Sequence, residues 1–159
     1  MPRPNPFSGL RREMKQYADA NGYPMERSYA PKCKCGAKVM SAAYGSGTFF
    51  IAGDDREGGA LLICGDCDAE GFVADSQTYM RPRLTREGQW RECFCRKRDF
   101  QVVVGAAFYA DSSDVRWWYV GGRCVHCGVQ GVYVDWKDDG SPWEAKLRPR
   151  VVPERRRRK

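Results

Sequence analysis

Eight cysteines stand at positions 33, 35, 64 and 67 and again at 93, 95, 124 and 127, each member of the second set sixty positions after its counterpart. Four coincident offsets with no gap point to a tandem duplication. Other residues echo at the same interval: Gly45 and Gly105, Asp54 and Asp114, Arg56 and Arg116, Gly71 and Gly131, Asp75 and Asp135. A unit of roughly forty to fifty residues seldom folds on apolar burial alone and usually relies on a metal or on disulfides. The cysteines therefore constrain the fold more than any other feature of the chain.

Their spacing points to metal. Cys64-Gly-Asp-Cys67 and Cys124-Val-His-Cys127 are CxxC turns, and Cys33-Lys-Cys35 and Cys93-Phe-Cys95 are tighter CxC turns. A tight turn can aim two sulfurs at one ion, and two such turns close a tetrahedron of thiolates, the donor set that structural zinc prefers. The reading is two structural Zn2+ ions, one held by Cys33, Cys35, Cys64 and Cys67 and the other by Cys93, Cys95, Cys124 and Cys127. An interleaved arrangement, with the first CxC meeting the second CxxC, is the alternative that the sequence leaves open. Disulfides fit less well. The amino-terminal stretch MPRPNPFSGLRREMKQYADANGYP has no apolar core of the length of a secretory signal, which points to a reducing, cytoplasmic setting. A redox CxxC opens a helix, whereas β-rich sequence follows Cys127. His126 has Asp66 as its repeat counterpart and reads as a turn residue.

CKCG at 33–36, CGDC at 64–67, CFCR at 93–96 and CVHCG at 124–128 resemble the half-sites of zinc-ribbon proteins, over about residues 30–140. Both opening turns depart from the usual CxxCG pattern by being CxC. The resemblance implies a mostly β architecture, structural zinc, and binding to nucleic acid or protein in place of catalysis.

Strand segments bounded by turns fit that architecture. In the first repeat, Lys38–Tyr44 and Thr48–Ala52 flank Gly45-Ser46-Gly47; a loop follows from Gly53 to Gly59; Ala60–Ile63 then runs into the CxxC turn and Gly71–Ala74 returns from it. Gln101–Val104, Ala106–Ala110, Val115–Val120 and Val129–Trp136 occupy the corresponding places in the second repeat. The acidic pairs Asp54-Asp55 and Asp138-Asp139 read as solvated turns. Ahead of the repeats, Ser8 can cap a helix over about Leu10–Ala20 that Asn21-Gly22 stops, with Leu10, Met14 and Tyr17 on one face. The expected organisation is an N-terminal arm with a short helix (1–30), module 1 (31–76), a basic linker (77–92), module 2 (93–144) and a basic C-terminal tail (145–159), the tail disordered until it meets an anion.

The net charge of +7 is unevenly spread: +3 over residues 1–32, −4 over 33–75, +5 over 76–98, −4 over 99–144 and +7 over 145–159. All five tryptophans (90, 117, 118, 136 and 143) follow residue 89, and alternation along Val115–Gly122 sends Trp117 and Trp118 to opposite faces. Exposed aromatics beside cations suit single-stranded nucleic acid, where bases stack on rings and cations follow phosphates. The candidate partner-binding residues are Arg96, Lys97, Arg98, Trp117, Trp118 and Arg155, Arg156, Arg157 and Arg158. The expected function is that of a non-enzymatic zinc-binding adaptor contacting nucleic acid or a nucleoprotein assembly. The alternative is a protein-binding inhibitor or immunity-type factor that uses the acidic and aromatic faces of the modules. With a single histidine, closed metal sites and no phosphate-cradling glycine loop, the sequence offers no catalytic constellation, small-molecule substrate site or membrane span.

Overall fold

Strands dominate the chain, and the longest are filled with the β-branched and aromatic residues that suit a pleated surface. In a computed structural model of the chain, the described residues are 6–33, 48–54, 58–74, 76, 90–138, 140, 143 and 151–152. Among them, a helix α1 (Pro6–Asn21) precedes the strands β1 (Arg27–Tyr29), β2 (Lys32–Cys33), β3 (Phe49–Gly53), β4 (Ala60–Cys64), β5 (Glu70–Phe72), β6 (Phe100–Phe108), β7 (Val115–Cys124), β8 (Gln130–Lys137) and β9 (Val151–Val152). The predicted strand Lys38–Tyr44, the Gly45–Gly47 turn, most of the linker and Arg155–Lys159 lie outside the described residues.

One antiparallel sheet has the order β5-β4-β3-β6-β7-β8, with β1 added beside β6. It joins the two halves of the chain through a single residue pair, Phe49 with Phe100. Past that pair, β3 leaves the ladder of β6 and lies over the inner face of the second half. Ile51 reaches the space above Gly122, and Gly53 and Gly58 sit so close to Val134 and Trp136 that a Cβ on either would collide. Phe49, Ile51, Leu62, Val104, Trp118 and Val134 accordingly belong to one buried cluster drawn from both halves. Farther along the same edge of β3, opposite β4, Ala52 bridges Trp90 and the Arg91 amide donates to the Ile51 carbonyl at 2.8 Å.

The outer face of β6–β7–β8 is covered by α1. Phe7, Leu10, Met14 and Ala18 recur at helical spacing and pack on Val103, Ala107 and Tyr119. Gly121 lets the helix approach closely, since a Cβ there would meet the Met14 thioether. The helix starts at Pro6, whose missing amide costs nothing in a first turn, so Ser8 lies inside the helix and is not its cap. It ends as expected, at Asn21 and Gly22, with Gly22 at φ 88°. Tyr17 sits at the rim, its ring edge-on to Tyr119 at 6.0 Å and its hydroxyl donating to Asp135 Oδ1 at 3.0 Å.

Three expectations need correction. Gly105 is not a hairpin turn like the one read at Gly45; it lies mid-strand in β6, paired with Ser28 and covered by Met25. The segment Gln101–Val104 and the first three residues of Ala106–Ala110 are one strand through it, which ends at Phe108. The acidic pairs are not simply solvated: Asp54 and Asp138 are both buried, and the Asp138 carboxylate accepts from Trp118 Nε1 at 2.6 Å and from the Gly140 amide at 3.0 Å. The segment after residue 145 is not uniformly without structure, because Val151 and Val152 pair in parallel with Lys32 and Cys33.

The sixty-residue interval also hides a shift. Phe49 opposes Cys64 and Phe100 opposes Cys124, so the first arms of the two hairpins are offset by fifty-one residues while the second arms keep sixty. The connection from the CxC turn to that arm is nine residues longer in the first half (36–48 against 96–99), and the hairpin is nine residues longer in the second. Asp54 thus follows β3 whereas Asp114 precedes β7, so this pair does not occupy equivalent places. Arg116 lies over the rings of Tyr23 and Tyr109, at 4.5 and 5.5 Å.

Two outcomes test this packing. Asp138→Ala strands the buried Trp118 N–H and should cost about 2–3 kcal/mol, a fall in Tm of roughly 5–10 °C by calorimetry. Burial, then the hydrogen bond to Asp135, pushes the Tyr17 phenol from 10.0 up to about 12. The folded state favours its neutral form, so this contribution is fully present below pH 10 and fades as pH rises towards 12. Near-ultraviolet circular dichroism should report an alkaline loosening of α1 in that window, smaller in Tyr17→Phe.

Candidate metal centres

Each CxxC turn is built by backbone bonds that wrap amides around the first cysteine. In the first half the Cys64 amide donates to the Ala69 carbonyl at 2.9 Å and the Asp68 amide to the Cys64 carbonyl at 3.0 Å. In the second the same bonds run from Cys124 to Val129 at 2.8 Å and from Gly128 to Cys124 at 2.9 Å. The closing residue must be left-handed, and Asp68 and Gly128 have φ of 61° and 79°. Asp tolerates that conformation better than most side chains, and Gly adopts it freely. The CxC turn of the second half is closed by Arg96 at φ 70°, its amide donating to the Cys93 carbonyl at 2.8 Å. Gly36, the matching residue of the first half, is outside the described residues.

The turns bring the sulfurs together within each half and not across halves. Cys93, Cys95, Cys124 and Cys127 form one group and Cys33, Cys64 and Cys67 another, with the ligand atoms of each group lying within 4.8 Å of one another. Cys35 is outside the described residues. The interleaved alternative is thereby excluded for the second site, and Cys33 stands with the CxxC turn of its own half. The two sites share a pairing: Cys33 Sγ lies 3.3 Å from Cys67 Sγ, and Cys93 Sγ lies 3.4 Å from Cys127 Sγ. Cys95 Sγ is 3.6 Å from Cys124 Sγ. These separations are far longer than a disulfide bond of about 2.05 Å and near the edge of about 3.8 Å of a tetrahedron of sulfurs around an ion with ligand distances of about 2.3 Å. Either group could hold a metal ion.

Cys64 opposes Phe49, Phe49 opposes Phe100 and Phe100 opposes Cys124. Cys64 and Cys124 therefore end one cross-strand row, their Cα atoms at most about 17 Å apart over three steps of about 5.5 Å. Around the second site, burial pushes the Cys124 thiol up, but the Cys127 and His126 amides and the neighbouring thiols outweigh it and bring it down to about 7. Cys95 goes the other way, to about 12: the Lys97 amide lowers it, and burial with three adjacent thiols more than reverses that. Tyr133, packed on Phe100 at 4.5 Å, has its phenol raised to about 12 by burial and then by the adjacent thiolates.

The other candidate residues are dispersed. Arg96, Lys97 and Arg98 are exposed on the second CxC turn, with Arg98 3.3 Å from Glu92. Trp118 is fully buried, stacked on Trp143 at 5.6 Å, and has no surface to offer a partner. Trp117 is half-buried, stacked on Tyr23 at 4.6 Å with its Nε1 donating to Asp135 Oδ2 at 2.9 Å. The expectation of an exposed ring on one face of this strand fails because α1 and Tyr23 cover the face away from the shared core. Arg155–Arg158 are outside the described residues. His126 is a turn residue as expected, its Nε2 3.5 Å from Asp99 Oδ2. Sequence reasoning misses Phe94, which is 97% exposed between two ligand cysteines. Its position is the signal, since a side chain between two sulfurs that converge on one point must face away from it.

No helix among the described residues is long and apolar enough to cross a membrane. In comparisons with protein-family models, curated proteins and solved structures, nothing matches this chain.

Exposure differs between the sites: Cys95 and Cys127 face solvent, whereas Cys33 and Cys64 are buried and Cys67 is half-buried. A chelator should empty the second site first. Metal release should have two phases, with mass spectrometry showing alkylation of Cys95 and Cys127 in the faster one and of Cys67 in the slower.

Proposed function

We propose that this chain is a non-enzymatic adaptor of two tandem four-cysteine zinc-ribbon modules that contacts nucleic acid, free or in a nucleoprotein assembly, through basic surfaces held in place by its zinc sites. The observation that carries the reading is the trio Arg96, Lys97 and Arg98, all exposed on a turn anchored by two sulfur ligands. Cations on a rigid turn lose little freedom when they meet phosphates, and each contact releases condensed counterions.

All-sulfur donor sets with near-tetrahedral spacing favour zinc among the common divalent metals. The ion would tie the two turns of each half together, with Cys35 completing the first set. It contributes folding free energy, and four protein ligands leave no open position for an activated water. The basic run at residues 155–159 would add sequence-independent phosphate affinity that weakens with salt. Both the adaptor reading and the inhibitor reading drew on Trp117 and Trp118; with Trp118 buried and Trp117 covered by Tyr23, the adaptor reading rests on its exposed cations and the inhibitor reading on the acidic faces alone.

Elemental analysis should find two zinc ions per chain, and Cys124→Ser should lose one. Because the core is shared, that variant should melt at a lower temperature as a whole and should not leave one half intact. Arg96→Gln with Lys97→Gln and Arg98→Gln should flatten the salt dependence of nucleic-acid binding, by about 0.7 in log–log slope for each phosphate no longer neutralised on a single strand. Removing residues 154–159, which spares β9, should weaken binding further. Binding indifferent to salt, or a native chain that keeps its fold without metal, overturns the proposal.

A further inference from the structure

Among the described residues, the largest exposed apolar surface belongs to one side chain. Phe94 is 97% exposed, and Val125 and Val129 on the facing CxxC turn are 41% and 42% exposed. Phe94 sits between Cys93 and Cys95, and Val125 follows Cys124, so the second metal site fixes the turns from which both project. The Val125 amide donates to the Asp99 carbonyl at 3.2 Å, which stitches the two turns together. The tip thus carries an aromatic ring beside three exposed cations. A shallow cleft lined by Gln101, Arg123 and His126 opens on the back of the CxxC turn.

A bare ring held on a rigid turn beside cations offers a stacking face whose burial by a partner is favourable. A protein partner fits poorly. A ring buries about 200 Å2, and the two valines add little, well short of the roughly 800 Å2 per side of a stable protein interface. A duplex fits poorly too, because its base faces are already stacked and exposing one requires flipping it out. A single strand offers both groups this tip can use: bare base faces for the ring and phosphates for Arg96, Lys97 and Arg98.

We infer that Phe94 is a base-stacking residue and that the tip of the second metal site binds single-stranded nucleic acid in preference to duplex, an inference that rests on the nucleic-acid reading above. The ring accepts any base, since every base has a stacking face, and the cations fix the strand beside it. Asp99 and Glu92 flank the turn, and Glu92 is engaged by Arg98, leaving Arg96 and Lys97 as the charges of the trio that face a strand directly.

The test uses the zinc-loaded full chain with a mixed-sequence single-stranded oligonucleotide and its duplex, read by fluorescence anisotropy at low salt. Phe94→Ala should weaken single-strand binding about tenfold or more, leave duplex binding unchanged and keep both metals; Phe94→Trp should restore it. If Phe94→Ala leaves single-strand affinity intact while the Arg96, Lys97 and Arg98 substitutions abolish it, the stacking inference falls and the nucleic-acid reading stands. If the wild-type chain binds neither probe, both fall. If Phe94→Ala instead converts a dimer to a monomer in sedimentation with single-strand binding unchanged, the ring serves a second copy of the chain and the inference is overturned.

Discussion

Two clusters of sulfur, each gathered from turns almost thirty residues apart in sequence, fix the end at which both central hairpins are tied. Cys64 and Cys124 are the last residues of β4 and β7, and the strands opposite them start at Phe49 and Phe100. Once the sulfurs are drawn together, the register of both hairpins is set from that end, because a slip by one residue would turn every inward side chain outward. The Phe49–Phe100 pair then couples the two anchored hairpins. Hydrophobic burial follows from this arrangement: with the hairpins tied at one end, the remaining apolar surface closes by folding one over the other.

That closure leaves little of the second half uncovered. Its inner face meets the first half and its outer face meets α1, so β7 can be apolar nearly throughout, as strands buried on both faces are. Trp118 is accommodated because Asp138 receives its N–H, and Trp117 because Tyr23 lies flat on it. Among the described residues, the surfaces left open are the loops and the tip that carries the second cysteine cluster. Trp118 is interior and Trp117 is covered by Tyr23, and among the described residues the most exposed aromatic is Phe94 at a turn.

The cysteine framework, the β class, the CxxC turns and the helix near the amino terminus were all legible in the sequence. They depend on local signals: ligand spacing, strand propensity, helical periodicity and an Asn-Gly stop. What was not legible depends on tertiary placement. Gly105 reads as a turn because nothing local reveals Met25 above it. Asp138 reads as a solvated acid because its partner is twenty residues away on a neighbouring strand. The constant sixty-residue spacing suggests a strict repeat, yet it combines a longer connection in one half with a longer hairpin in the other. Equal cysteine intervals reflect the sum of two segments and say nothing of where the boundary between them falls.

The parallel pairing of Lys32–Cys33 with Val151–Val152 bears on how the molecule is made. During synthesis the second site has all its ligands and strands once residue 137 has emerged, whereas the strand bearing Cys33 waits for a partner 119 residues downstream. Closing so long a loop is slow relative to a local hairpin. The pairing that completes the strand bearing Cys33 can therefore form only after every other described strand has emerged, so this edge of the first half is finished last.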